Sequence, residues 1–238
     1  MKGRIVLDLT ERLLAVASFV RKDTFLIDVG TDHAYLPIYL AGRGDVRACI
    51  ASDIHEGPCE SARAHIAVCG LTDKIKVVRT DGLCGLSASG MTDIVIAGMG
   101  GTLISEILSC ADFIKNGDIR LILQPMRNIP DLRKYLYENG FDIADEALAR
   151  EEDRIYEVIC ASYDGVKREK SELVLTLGEK NIENKNTNAA LFSAFCEKQA
   201  SALTKKINGM RVGGADTSAQ EALLAQIEAE KTNIPKEE

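Results

Sequence analysis

Apolar and polar positions alternate with two different periods along this chain, and each change of period marks an element. Leu9, Leu13, Leu14, Val16, Ala17 and Val20 recur at helical spacing within residues 7–20, with a polar opposite face, and predict an N-terminal helix. Short β-rich runs follow at 25–29, 46–51, 75–79, 93–97 and 119–123, with helix-compatible stretches at 33–43, 56–69, 101–110 and 129–139 between them. Strands that alternate with helices in this way imply a parallel sheet. The connection between the third and fourth runs carries Gly and Ser and has only a short helical option, so it is the weakest crossover of the series.

The pattern changes after Gly140. Runs 141–149 and 155–163 both read as extended, and the polar Arg150-Glu151-Glu152-Asp153-Arg154 between them predicts an antiparallel hairpin. Five parallel strands closed by such a hairpin match the class I methyltransferase variant of the doubly wound α/β fold, whereas a dinucleotide dehydrogenase ends on a parallel strand. Lys167 to Asn188, with asparagine at 181, 184, 186 and 188, reads as a polar linker or irregular connection. That puts a domain boundary near residue 165, with a main domain over 1–165 and a tail over 166–238. In the tail, Leu191, Phe192, Phe195, Ala202, Leu203, Ile207 and Met210 fit one amphipathic helix, and Leu223, Leu224 and Ile227 mark another. Arg211 to Asp216 supplies a glycine turn between them, so an antiparallel, coiled-coil-like helical hairpin is expected.

Composition narrows the class. At 238 residues and 46% hydrophobic content the chain can bury one substantial core and keep an appendage. No run approaches the roughly 18 apolar residues of a membrane span, and Met1 to Thr10 is too polar for a secretory signal, so a cytoplasmic, membrane-free monomer is expected. Seven cysteines without a Cys-x-x-Cys pair read as small core residues in a reducing compartment. The three histidines have no paired ligand spacing, and no metal is assigned. Gly-x-Ser-x-Gly and the phosphate-cradling Gly-x-x-x-x-Gly-Lys are both missing, which excludes the corresponding hydrolase and nucleotide-triphosphatase classes. Net charge is −7, yet residues 166–212 hold nine basic against five acidic side chains. Such a segment permits a local nucleic-acid contact, and a solvated helical face accounts for the charge equally well.

The candidate chemistry lies at strand ends. Phe25 to Pro37 reads as a buried strand, a one-glycine turn at Gly30 and a helix start, where free backbone N–H groups can hold a polar tail. Asp28 and Asp32 put negative charge there, which repels phosphate and suits a cationic guest such as S-adenosylmethionine. Asp53, followed by Ile54, closes the second strand roughly 20 residues after the turn, where a carboxylate can accept both ribose hydroxyls; an N-cap is its bland alternative. Asp81-Gly82 after the third strand can meet the adenine end of the donor, or be an ordinary Asp-Gly turn. Three successive strands ending in Asp form an acid-lined crevice, more specific than any one of them. Gly98-Met99-Gly100-Gly101 ends the fourth strand with bare backbone beside the expected methyl group, though tight strand-to-helix packing can account for one or two of the glycines. An Asn or Asp followed by prolines, suited to gripping an exocyclic amine, does not occur there, so attack by a ring nitrogen fits better. His33 can orient substrate or move a proton, or simply pack.

Leu9-Thr10-Glu11-Arg12-Leu13, Asp28 to Pro37, Ile96 to Gly101 and Leu121-Ile122-Leu123-Gln124-Pro125 together resemble the bacterial tRNA (adenine-22-N1)-methyltransferases. The likeness runs from about Leu9 to Glu157, with a weaker helical tail. It implies S-adenosyl-L-methionine as cofactor, tRNA as substrate and N1 of adenine 22 as acceptor. It puts Asp32, His33, Gly98 and Met99 at the reacting end and Arg12 on the methionine carboxylate, with Asp28, Gly30, Asp32, Asp53, Ile54, Asp81, Gly82 and Gly98 along the rest of the donor. The chain departs from the family in having Ser52-Asp53 where Gly-Glu is usual, Met126 where Asn follows Gln-Pro, and Gly178-Glu179 where Gly-Pro is common. The rival readings are a nicotinamide-dependent oxidoreductase and a non-catalytic RNA-binding protein that keeps the fold.

Overall fold

The computed structural model describes residues 8–88 and 90–233. Most of the segment weighed as a leader, Leu7 of the first helical run and the last five residues of the tail therefore lie outside the described residues. Thr10 opens helix α1 (Glu11–Ser18) as its N-cap: its backbone is extended and its hydroxyl accepts the Leu13 N–H.

One sheet organises the chain. Its strands are β1 (Thr24–Val29), β2 (Val46–Asp53), β3 (Ile75–Arg79), β4 (Thr92–Met99), β5 (Ile119–Pro125), β6 (Phe141–Glu151) and β7 (Arg154–Tyr163), in the order β3-β2-β1-β4-β5-β7-β6. The first five pair in parallel, and β7 lies antiparallel to both β5 and β6. The helices α2 (Tyr35–Arg43), α3 (Glu56–Val68), α4 (Gly101–Ser109) and α5 (Ile129–Glu138) complete the doubly wound arrangement. Period-two alternation along β1 sends Leu26 into one apolar cluster, with Val16, Leu36 and Ile66 from α1, α2 and α3. Ile27 and Val29 point into the other, with Ile104 and Leu132 from α4 and α5. Strand order reverses between β1 and β4, which opens a crevice at their carboxyl ends. The β3-to-β4 crossover carries no helix among its described residues: Gly82 and Gly85 take positive φ, and Cys84 N–H closes a turn on Asp81. Its sequence has no apolar stripe that would hold a helix on the sheet.

Residues 167–188 correct the linker expectation. They contain α6 (Glu172–Leu177), packed on α5, and α7 (Glu179–Glu183), packed on β6. The cause is Arg133 of α5, fully buried between Glu146 of β6 and Glu157 of β7, each at 2.7 Å. Its guanidinium also donates to the carbonyls of Leu175 and Thr176, and Glu146 accepts the Lys180 N–H at 3.1 Å. Gly178 between the two helices has φ +87°, and a Cβ there would overlap the Glu146 carboxylate and the Arg133 guanidinium. Five- and six-residue helices are too short for periodicity to register, and a single buried arginine docks them.

The helices α8 (Ala189–Val212) and α9 (Ser218–Thr232) form the expected hairpin. Ion pairs Arg211–Glu221 near the turn and Lys231–Glu197 toward the far end join the two helices in antiparallel register. Phe192, Phe195, Cys196 and Ile227 cluster with Leu177 and Ile155, which seats the hairpin on β7 and α6. Much of the basic surplus is used internally, since Arg168, Lys170, Lys180, Lys185 and Arg211 all meet carboxylates. Lys205 and Lys206 of α8 are exposed. Of the cysteines, 49, 59, 160 and 196 are buried, 69 is half-buried, 84 and 110 are exposed, and all are free thiols.

Candidate active site

Gly30 turns the chain out of β1 with φ +78°, and the N–H groups of Gly30 and Thr31 both donate to the Ser52 carbonyl at 2.8 Å. The turn is thereby hooked over β2. A Cβ on Gly30 would overlap the Met99 methyl, so Met99 packs against the glycine from β4. Ala34, also at positive φ, leads into α2, whose first turn has no side-chain cap. Asp28 lies buried beneath this turn, and burial pushes its carboxyl up to about 6.

On the other side of the crevice the β4–β5 register shifts between Ala97 and Met99, leaving Gly98 as a bulge at φ +79°. Its N–H donates to Gln124 Oε1 at 3.1 Å, and the same oxygen accepts Arg12 Nη1 at 2.7 Å. Gln124 is fully buried, and its amide nitrogen donates to the Pro125 carbonyl at 3.0 Å. The Arg12 guanidinium stands 5.6 Å from the Tyr156 ring centroid and 3.8 Å from Glu151. One amide therefore fixes both the cation of α1 and the bulged backbone of β4. Gly101 has a different purpose, because a Cβ there would overlap the Asn128 carbonyl, so that glycine serves packing.

These elements enclose a cavity of about 430 Å³. Of the sequence-predicted residues, Arg12, Asp28, Gly30, Asp32, His33 and Gly98 line it. Met99 does not; it lies behind Gly30. His33 Nε2 sits 3.3 Å from Asp32 Oδ2, while His33 Nδ1 is buried without a hydrogen-bond partner among the described residues. Asp53, Ile54, Asp81 and Gly82 stand on the neighbouring strand ends outside the lining, so Asp28 alone of the three aspartates faces this cavity. Asp53 Oδ1 accepts the His55 N–H at 2.8 Å at the entrance to α3, and the Asp53 carbonyl accepts Thr80 N–H, tying the Asp81-Gly82 turn to the end of β2. Ile54 is 47% exposed beside them. Gly82 has φ +54°, and a Cβ there would press on Ile107 at 3.0 Å.

Gln124 is a functional residue to which the sequence motif alone assigns no role. Its signal was available: a lone amide closes the apolar run Leu121-Ile122-Leu123, where a buried polar group must find partners. Gln124→Leu removes the acceptor that the Gly98 N–H and Arg12 share. A loss of about tenfold in donor affinity is expected, read by titration calorimetry. Among the described residues no cluster of three or more His, Cys, Asp or Glu side chains is placed to hold a metal ion.

Comparison with known proteins gives the same picture. The family described as a methyltransferase domain matches residues 9–159. The tRNA (adenine(22)-N(1))-methyltransferase of Bacillus subtilis strain 168 is 35% identical over 175 residues, 71% of this chain and 74% of that protein. A Streptococcus pneumoniae structure in complex with S-adenosyl-L-methionine superposes with a TM-score of 0.78 at 31% identity, covering 94% of this chain and 100% of the other. M. capricolum TrmK, solved with S-adenosyl-homocysteine, gives 0.73 at 26% identity over 94% of this chain and 96% of its own. A catalytic-domain match of that extent, a relative of that identity and a shared tail place the protein: the chain belongs to the tRNA (adenine(22)-N(1))-methyltransferase family.

Proposed function

We propose that this chain transfers the methyl group of S-adenosyl-L-methionine to N1 of adenine 22 in tRNA, acting as a cytoplasmic monomer. The observation that carries this is the cavity at the β1–β4 reversal, which joins a buried carboxylate, a tethered arginine and an uncovered backbone bulge. The residues fit the donor chemically. Arg12 suits its carboxylate, Asp28 its cationic end, and the uncapped first turn of α2 its polar tail, since the Gly30 and Thr31 N–H groups are taken by Ser52; Asp53, Ile54, Asp81 and Gly82 continue along the sheet edge for ribose and adenine. When bound, the donor supplies an electrophilic methyl on a positively charged sulfur.

Adenine N1 owns a lone pair at neutral pH, so the protein needs no strong base and forms no covalent intermediate. Its contribution is positioning and electrostatics. Gly98, with Met99 behind the turn, gives the base close access. Asp32 offsets the positive charge that the ring acquires, and His33, 3.3 Å from Asp32, orients the base. An adenine in folded tRNA must first be exposed, at a cost of a few kcal/mol. In this reading the tail, 166–238, is the part of the chain that holds the RNA, with Lys205 and Lys206 of α8 facing phosphate.

Asp28 gives this reading a pH signature. Its folded carboxyl, at about 6, lies above the usual carboxylate value, so the folded protein without donor binds more protons there than the unfolded chain. Stability contributed by the neutral form is present at low pH and falls as pH rises through 6. Donor binding has the opposite sign, because a cationic ligand favours ionised Asp28. Calorimetric affinity is expected to rise from pH 5 to pH 7 and then level off, and Asp28→Asn is expected to flatten the rise. The function itself is tested by calorimetry with the two candidate cofactors and turnover on unmodified tRNA. Binding of S-adenosyl-L-methionine with methylated product supports the assignment. Binding of NAD alone, or tRNA binding without turnover at saturating donor, overturns it.

A further inference from the structure

Three aromatic rings gather at the mouth of the cavity, and two of them, Tyr35 and His65, have no part in the chemistry described so far. Tyr35, in the first turn of α2, lines the cavity and is 41% exposed. Its ring centroid lies 5.3 Å from His33 and 5.8 Å from His65 of α3, with interplanar angles of 33° and 28°. The two histidine rings stack at 5.2 Å, and His65 Nδ1 lies 3.2 Å from the His33 carbonyl oxygen. A large ring left this exposed while two others buttress it is a rigid, preorganised π surface beside the reacting end.

We propose that Tyr35 is the stacking partner of the target adenine, and that its ring stabilises the positive charge the base acquires during methyl transfer. The inference rests on the function proposed above and deepens it. In the transfer, the N1 lone pair forms the bond to the methyl carbon and the carbon–sulfur bond breaks with its electron pair passing to sulfur. The positive charge moves from the sulfonium to the purine ring. A neutral adenine stacks on an aromatic face in a way that every base shares. A cationic one gains in addition from the ring's negative face. That second gain exists only as charge develops, so it appears in kcat rather than in KM. His33 and His65 act as positioning residues, holding the tyrosine ring in its plane.

The test compares Tyr35→Leu with Tyr35→Phe on full-length protein and unmodified tRNA, measuring kcat, KM for tRNA, donor affinity by calorimetry and binding of tRNA already methylated at position 22. Tyr35→Leu is expected to lower kcat about tenfold, a cation–π-sized effect, with donor affinity unchanged. Affinity for the methylated tRNA should fall more than affinity for the unmodified one. Tyr35→Phe, which keeps the ring, is expected to recover most of the loss. A Leu variant whose KM rises at constant kcat overturns the charge role, and one that loses donor affinity assigns Tyr35 to the donor site instead. Equal losses in the Leu and Phe variants also overturn the proposal, since the hydroxyl would then be responsible. If the unaltered protein does not methylate tRNA, the proposed function fails rather than this inference.

Discussion

Replacing Gly30 by valine is expected to abolish donor binding, lowering affinity by about 10²-fold or more while the rest of the sheet stays folded. Two independent costs add at this position. The residue sits at φ +78°, where a β-branched side chain carries strain of about 1–3 kcal/mol. A Cβ also displaces the Met99 methyl, and Met99 is the residue whose backbone carbonyl accepts the Met126 N–H next to the Gly98 bulge. Relief by tilting the turn breaks the paired donation of Gly30 and Thr31 to Ser52, which aims the Asp28–Asp32 segment. Calorimetry with the donor, beside far-UV circular dichroism, separates loss of the site from loss of the fold. Full-affinity binding by Gly30→Val would refute the assignment of this turn to the donor.

Arg133→Met is the substitution expected to cost most stability, about 3–5 kcal/mol, because it leaves two carboxylates buried without their cation. Burial pushes the Glu157 carboxyl above its usual value even with Arg133 in place. Without the arginine Glu157 loses the cation that opposes this rise and takes up a proton on folding, so the deficit is expected to shrink as pH falls toward 5. Replacing all three members by apolar residues of similar volume is expected to recover most of the loss, as paired charges in a dry interior contribute little net stability. The site of damage is specific. Arg133 holds the carbonyls of Leu175 and Thr176, and Glu146 holds the Lys180 N–H, so α6 and α7 detach first and the α8–α9 hairpin loses its seat on Leu177. Chemical denaturation of single and triple variants, with proteolysis of the 167–188 segment as a local probe, measures this. Stability within 1 kcal/mol of the unaltered protein for Arg133→Met would contradict it.

The parallel strands were legible because each is a short run of apolar residues bounded by turn signals, and the hairpin because Phe141 to Tyr163 breaks the strand–helix rhythm. The Gly30 turn was legible for a related reason, since one glycine between a strand and a helix has few conformations to choose from. What escaped depends on contacts between distant residues. Nothing local marks Gln124 as the partner of Arg12, 112 positions earlier in the chain. The Gly98 bulge arises from a register shift against β5, which a single strand does not encode. The segment 167–188 looked like a linker because its polar residues outnumber its apolar ones, and its docking resides in an arginine on another helix. Asp53 showed the limit from the other side: its position at the strand end was right, but its side chain is partly engaged with the backbone of His55.

The central claim is that this cavity delivers a methyl group to one ring nitrogen of one adenine. It is tested most directly with isotopically labelled S-adenosyl-L-methionine, unmodified tRNA, and tRNA in which 1-deazaadenine replaces adenine at position 22, the label then being located by nuclease digestion and mass spectrometry. The expected result is about one methyl group per unmodified tRNA, as 1-methyladenosine at position 22, and none on the deaza substrate, which lacks the N1 lone pair. Label on a different nucleoside, or equal labelling of the two RNAs, would contradict the account.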